Sequence, residues 1–319
     1  MPLGEFDLIR RFFTRNTPSA TLGIGDDAAL LPITPGNVLA VSTDILVSGR
    51  HFFPDADPYF LGRKSLAVNL SDMAAMGAKP RWATLSLALP NADEAWLLPF
   101  SNGFFSIADE YGVELIGGDT TQGPLNICVQ IMGEVEADQA LRRDGAKVGD
   151  VIWVSGELGA AACALSYLQG KLSLSADELA QCAQRLHNPA PRVALGLALR
   201  GIASSAIDIS DGLLADLGHI LERSNVGAEI RLRDVPCSND LHKYFARAPA
   251  QQALLAGGDD YELCFTAPLT QTATIANIEG QLRLPLTAVG QIVAGRELIV
   301  QDNNAAALDL DRQGFDHFN

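Results

Sequence analysis

Positive charge is scarce in this sequence. It has 23 lysines and arginines against 38 aspartates and glutamates, a formal net charge of −15. That balance excludes a nucleic-acid interface, which needs a cationic surface. Aromatic residues make up only 7% of the chain, while Gly and Ala are plentiful, which suits an α/β enzyme better than an all-β sandwich. No uninterrupted apolar stretch is long enough to span a bilayer, so no membrane association is expected. The first residues lack an apolar core of signal-peptide length, and a soluble, cytoplasmic chain is expected.

Cysteines number five: Cys128, Cys163, Cys182, Cys237 and Cys264. The count is odd, the spacing wide, and no C-x-x-C occurs. They read as buried thiols of a reducing compartment, not as disulfides or zinc ligands.

Several nucleotide motifs are missing too. There is no G-x-x-x-x-G-K-[ST], which excludes a P-loop enzyme. There is no H-R-D and D-F-G set, which excludes a protein kinase. No EF-hand loop supports a calcium-binding, non-catalytic protein. Gly23-Ile-Gly-Asp-Asp-Ala28 has the outline of a dinucleotide fingerprint, but it sets two carboxylates where a pyrophosphate would lie and no clear strand precedes it.

What is present suffices for two domains and a sizeable core, since 48% of 319 residues are hydrophobic. Helices are expected over 5–15, 58–77, 93–111, near 158–170, 176–187, 191–202 and 212–224. Strands are expected over 38–42, 82–89, 125–135, 151–154, 206–210, 228–232 and 261–266, with further short strands in the tail. The polar stretch 136–150, with turns at Gly145 and Gly149, marks a boundary between domains at 1–137 and 148–319. Asn69-Leu-Ser-Asp72 followed by Gly117-Gly-Asp119 is echoed by Asp208-Ile-Ser-Asp211 and Gly257-Gly-Asp259. The echo suggests two related α/β halves that each lend carboxylates to one cleft.

Aspartates gather beside glycines at the ends of apolar runs. Singly, each reads as a helix cap or turn residue. Five separate clusters in one chain point further. Converging carboxylates need cations, and oxygen donors without a His or Cys cluster suit Mg²⁺ or Ca²⁺. Magnesium is held by a few carboxylates together with substrate phosphates, which makes nucleotide phosphoryl transfer the natural chemistry.

Gly23-Ile-Gly-Asp-Asp27, Ser42-Thr-Asp44, Asn69-Leu-Ser-Asp-Met-Ala-Ala-Met-Gly77, Gly117-Gly-Asp-Thr120, Asp208-Ile-Ser-Asp-Gly212 and Gly257-Gly-Asp-Asp-Tyr-Glu-Leu263 occur in the order that resembles thiamine-monophosphate kinases. Gly4-Glu-Phe6 and Gly314-Phe-Asp-His-Phe318 resemble that family as well, so the likeness runs nearly end to end. The wider superfamily includes aminoimidazole ribonucleotide synthetase and selenophosphate synthetase. A purine-biosynthesis synthetase of that superfamily, sharing ATP and Mg²⁺, is the alternative reading.

The resemblance implies a two-domain fold of mixed α/β sheets, like that of aminoimidazole ribonucleotide synthetase. It implies an N-terminal dimerisation domain, a C-terminal α/β domain, and the nucleotide between them. It implies ATP-dependent conversion of thiamine monophosphate to thiamine diphosphate by a homodimer using several Mg²⁺ ions, and it leaves a monovalent cation open. Carried over by motif, Asp27, Ser42, Thr43, Asp44, Asp72, Asp119, Asp208 and Asp211 would ligate metal. Among these, Asp72, Asp119 and Asp211 would be catalytic. Gly118, Asp119, Arg143 and Ser210 would contact ATP, and His51, Asp259 and Phe315 the thiamine substrate. Two positions depart from the family pattern: Asp259 stands where Glu is common, and Phe315 where Trp or Tyr is usual. From spacing alone, His51 is a polar loop residue and Arg143 an exposed linker charge.

Overall fold

The computed structural model describes residues 4–242, 244, 248–302, 306–308 and 314. They fall into two compact units, Met1–Met73 with Ala78–Asp138 and Ala74–Gly77 with Gln139–Asn319.

In the first unit, α1 (Glu5–Leu8) runs directly into a π-helical turn over Ile9–Phe13, where the adjacent Phe12 and Phe13 are both buried. Then follow β1 (Asn37–Val47), α2 (Pro58–Ala75), β2 (Lys79–Leu89), α3 (Glu94–Tyr111), β3 (Glu114–Gln122) and β4 (Asn126–Glu136). The sheet order is β1-β4-β2-β3. Strands β2 and β3 are parallel, with α3 as their crossover, and the other pairs are antiparallel. Helix α3 starts where the Asp93 carboxylate accepts the Ala95 N–H at 2.9 Å and stops at Gly112, which takes the left-handed conformation.

Helix α2 is apolar on almost every side. Leu66, Leu70, Met73, Ala67 and Ala74 are fully buried, and so are Asn69 and Ser71. A helix apolar all round is a core helix, not an amphipathic surface one. It crosses α3 backbone to backbone: a Cβ at Gly62 would lie 2.1 Å from the Phe100 carbonyl oxygen, and one at Gly103 1.9 Å from that of Tyr59. The loop before β1 is pinned to the sheet. Glu114 accepts the Ser19 N–H, the Trp82 indole donates to the Ser19 hydroxyl at 2.8 Å, and Glu134 accepts both the N–H and the hydroxyl of Thr34.

In the second unit the order is β5 (Val151–Ser155), α4 (Ala160–Leu168), α5 (Ala176–His187), α6 (Val193–Ala198), β6 (Ser205–Asp208), α7 (Leu213–Ser224), β7 (Gly227–Arg231), α8 (Asn239–His242), α9 (Ala248–Ala256), β8 (Leu263–Ala267), α10 (Thr272–Leu282), β9 (Leu286–Val293) and β10 (Leu298–Gln301). Six strands pair in the order β10-β7-β9-β5-β8-β6, and only β10 and β7 run parallel. Ile152 and Val154 point into a core shared with Cys163, Leu213, Leu217 and Ile220 of α4 and α7. The pleat turns Trp153 to the other face, where it stacks on its cross-strand partner Phe265.

The internal echo does not extend to local structure. Asn69 and Asp72 sit inside a helix, whereas Asp208 ends a strand and Asp211 lies in the turn before α7. Gly117 to Asp119 is strand, whereas Gly257 to Asp259 is loop. Similar strings of Gly and Asp serve different backbone geometries here, because neither residue type fixes one.

Candidate active site

Two groups of candidate residues form, one in each unit. In the first, the edge strand β1 carries Ser42, Thr43 and Asp44, and α2 meets the sheet on the side of Ser42. The Ser42 hydroxyl donates to Asp72 Oδ2 at 2.6 Å. One helical turn before Asp72, the buried Asn69 accepts the Asp44 N–H at 3.2 Å and donates to the Ser65 carbonyl at 3.0 Å. Asn69 therefore adds a side-chain acceptor at the Asp44 amide, and it holds the Ser42–Asp44 segment close to Asp72.

Alternation along β1 turns Thr43 to the opposite face from Ser42 and Asp44. Its hydroxyl accepts from Gln130 Nε2 of the neighbouring strand at 3.3 Å. Asp119 is exposed on β3 opposite Ser86, which in turn pairs with Cys128 opposite Ile45. Asp119 thus shares a face with Thr43 and Ile45, three strand spacings or about 14 Å from β1. Asp27 lies in an exposed loop, its N–H bonded to the Asp26 carboxylate. Gly118 takes φ 145°, and a Cβ there would sit 1.9 Å from the Leu85 carbonyl oxygen, so only glycine fits.

His51 closes the turn after β1. Its N–H donates to the Val47 carbonyl, and its Nδ1 accepts the Val47 N–H, both at 3.0 Å. An accepting Nδ1 places the proton of the neutral ring on Nε2. Among the described residues, no group of three or more His, Cys, Asp and Glu side chains forms a ready metal site. The donor chemistry nevertheless fits a hard divalent cation: Ser42 Oγ and Asp72 Oδ2 are oxygen donors held side by side.

In the second unit, β6 delivers the nearly buried Asp208, and residues 209–212 turn into α7. This turn interlocks with the loop before β8. Ile209 N–H donates to the Glu262 carbonyl, Tyr261 N–H to the Ile209 carbonyl, and Asp259 N–H to the Ser210 carbonyl, at 2.8, 2.8 and 2.9 Å. Asp259 and Tyr261 both have positive φ, 69° and 50°. For Tyr in particular that conformation is uncommon, and such strain concentrates at functional sites.

The acids of Gly257-Gly-Asp-Asp-Tyr-Glu-Leu263 have separate tasks. Asp260 accepts the Gly159 N–H with both oxygens at 3.0 Å. Burial pushes its carboxyl well above the ordinary range, against the pull of that N–H. Glu262 is fully buried, accepts from the Ser155 hydroxyl at 2.6 Å, and forms a two-pronged ion pair with Arg192. Both are architectural, which leaves Asp259 as the motif's candidate for a ligand.

Arg143 is exposed, beside an Arg142 that is paired to Asp144. The Ser224 hydroxyl bonds the Arg143 carbonyl at 2.8 Å, so this backbone sits at the C-terminal end of α7. Ser210 and Asp211 lie before its N-terminal end, about 17 Å away along twelve residues of helix. Phe315 lies outside the described residues. Gly314 lies at the start of α7, where an added Cβ would meet Ala215 and the Asp211 carbonyl.

Sequence reading missed Asp216 and the architectural roles of Asn69, Asp260 and Glu262. Only Asp216 left a trace, as an acid in the first turn of an expected helix. Its pKa is pushed up to about 8, first by burial and then by the charge of Asp208.

Two family models cover most of the chain: the AIR synthase related protein N-terminal domain matches residues 25–135, and the corresponding C-terminal domain residues 147–303. The thiamine-monophosphate kinase of Escherichia coli strain K12 is 47% identical over 322 residues, covering 100% of this chain and 99% of that protein. The chain belongs to the thiamine-monophosphate kinase family. It is accordingly a kinase enzyme, and the expected two-domain fold of mixed α/β sheets holds. Among solved structures, the thiamine-monophosphate kinase of Stenotrophomonas maltophilia K279a matches with TM-score 0.86 and 48% identity, covering 97% of this chain and 99% of that one. A structure of AaThiL complexed with AMPPCP and TMP matches with TM-score 0.78 and 32% identity, covering 100% and 99%. Full-length likeness of this degree to kinases separates the chain from the synthetases of the wider superfamily. No helix among the described residues is long and apolar enough to cross a membrane.

Proposed function

We propose that this protein transfers the γ-phosphoryl group of ATP directly to the phosphate of thiamine monophosphate, forming thiamine diphosphate. The observation that carries the reading is the match along the whole chain to a relative solved with AMPPCP and TMP together. The acceptor phosphate has a second pKa of about 6 and is mostly dianionic at neutral pH, so its oxygen needs no general base. The chemical task is to hold two polyanions in line.

The residues divide by that task. Asp27, Ser42, Thr43, Asp44, Asp72 and Asp119 from the first unit, and Asp208 and Asp211 from the second, are the proposed Mg²⁺ ligands. When bound, magnesium neutralises charge on the phosphate oxygens. Asp72, Asp119 and Asp211 are the proposed catalytic carboxylates. Gly118, Asp119, Arg143 and Ser210 contact ATP. His51 donates through Nε2 to the thiamine substrate, Asp259 binds it, and Phe315 stacks on it. A monovalent cation stays open alongside magnesium.

A homodimer is proposed through the first unit. Val41, Ile45 and Val47 are exposed along one face of the edge strand β1, where a second copy would cover them. A cytoplasmic location suits ATP use and the five free thiols.

The experiment is to incubate the purified protein with ATP, Mg²⁺ and thiamine monophosphate, then oxidise and separate the fluorescent thiochrome products. Thiamine diphosphate is the expected product. Its absence, with phosphorylation of another acceptor, would remove this assignment and leave the fold.

A further inference from the structure

One oxygen of Asp216 gathers three consecutive backbone amides. Ser210, Asp211 and Gly212 all donate to Asp216 Oδ2, at 3.0, 3.0 and 3.1 Å. The carboxylate is 3% exposed and lies in the first turn of α7, one turn past the loop it binds. Ordinary helix capping needs one acceptor for one or two of these donors. Here three successive N–H groups converge on a single point, which fixes the path of residues 210–212 as a tight arc.

That arc reaches further. The Ser210 carbonyl, turned outward by the same arc, accepts the Asp259 N–H at 2.9 Å. A Cβ at Gly258 would fall 2.4 Å from that carbonyl oxygen, so the two loops touch with no spare room. Asp259 holds a positive φ in this contact. Asp216 therefore governs, through backbone alone, the placement of Ser210, Asp211 and Asp259.

We propose that Asp216 is a positioning residue that presets the Ser210–Asp211 loop, and with it Asp259, for nucleotide and substrate. The inference rests on the proposed function of that loop. Asp216 touches no ligand in this scheme; it acts on backbone geometry through its Oδ2.

Hydrogen exchange on the ligand-free protein reads the device directly. Amides 210–212 are expected to be protected in the native chain, partly exposed in Asp216→Asn, whose carbonyl still accepts, and open in Asp216→Ala. Equal protection in all three would overturn the proposal. In the kinase assay, Asp216→Ala should lose about 10- to 100-fold in kcat/KM for ATP, as supporting residues of ligand-binding groups do. Asp216→Asn should recover part of that loss, while its thermal midpoint stays near the native value. A midpoint falling in step with activity in both variants would mark Asp216 as structural only.

Asp211→Asn separates this proposal from the reading beneath it. Because Asp216 acts in part through Asp211, the double variant Asp211→Asn with Asp216→Ala should lose less than the product of the two single losses. A multiplicative loss would overturn the positioning role. Full activity in Asp211→Asn would instead sink the assigned role of the loop, whatever Asp216 does.

Discussion

Ser42 and Asp72 meet across 2.6 Å, a hydroxyl on an edge strand against a carboxylate inside a buried helix. The contact ties β1 to α2 at the point where both contribute candidate ligands, and Asn69 fixes the same segment from one turn earlier. The pair holds oxygen donors in place before any ligand arrives, which is the condition for electrostatic catalysis without reorganisation.

Asp72→Asn is therefore expected to lower kcat by at least about 100-fold, the scale seen when one preorganised electrostatic contact is removed. The amide keeps the size of the side chain, so denaturant unfolding should stay within about 1 kcal/mol of the native chain. Steady-state kinetics and urea melts on the same preparation check both halves.

Gly118→Ala should fail in a different way. Its φ of 145° excludes side chains, and the added methyl would meet the Leu85 carbonyl at 1.9 Å. A loss of about 2 kcal/mol or more is expected from backbone strain and displacement of β3. Urea unfolding followed by tryptophan fluorescence measures it, since Trp82 lies in the neighbouring strand.

Arg192→Met leaves the buried Glu262 carboxylate without its two-pronged partner. Breaking a buried pair from one side costs about 3 kcal/mol or more. The additional substitution Glu262→Gln should recover part of the loss, which a double-mutant cycle on thermal or urea melts would reveal.

Thiol chemistry should follow burial. Burial pushes the Cys163 thiol up to about 12 and that of Cys237 up to about 11, and raises Cys264 as well. Cys128 and Cys237 are half-buried, whereas Cys163, Cys182 and Cys264 are buried. With Ellman's reagent at pH 8, Cys237 should react before Cys163, Cys182 and Cys264, which should react only on unfolding. Mass mapping of the labelled peptides gives the order.

Much of the fold could be read in the residues, for reasons that also mark where reading stops. Leu66, Leu70 and Met73 recur at helical steps, and α2 is there. Trp82 to Leu89 is strand-like and bounded by Pro90, and β2 is there. Helix α10 gave no such signal because Thr272–Leu282 carries threonines, an Asn and Gly280, all weak helix formers. Strand β9 is interrupted by Gly290, which packs 2.1 Å from the Glu229 carbonyl by its absent Cβ and looks like a loop residue in isolation.

Motif order named the candidate ligands, but not the faces they occupy. Ser42, Thr43 and Asp44 are contiguous, yet pleating sends Thr43 away from the other two. Asp119 shares a sheet with Asp44 and faces the opposite side. The role of Asp216 is a through-space bond to a loop, and no spacing rule encodes that the loop's three amides will share one acceptor. Such contacts appear only once β6 and α7 are packed.

The most direct measurement follows one labelled phosphate. With γ-³²P-labelled ATP, Mg²⁺ and unlabelled thiamine monophosphate, the terminal phosphate of thiamine diphosphate should carry the label in a one-to-one ratio with the ADP formed, and protein quenched in mid-reaction should carry none. Label found in inorganic phosphate alone, or trapped on the protein with thiamine monophosphate unchanged, would contradict direct transfer between the two bound phosphates.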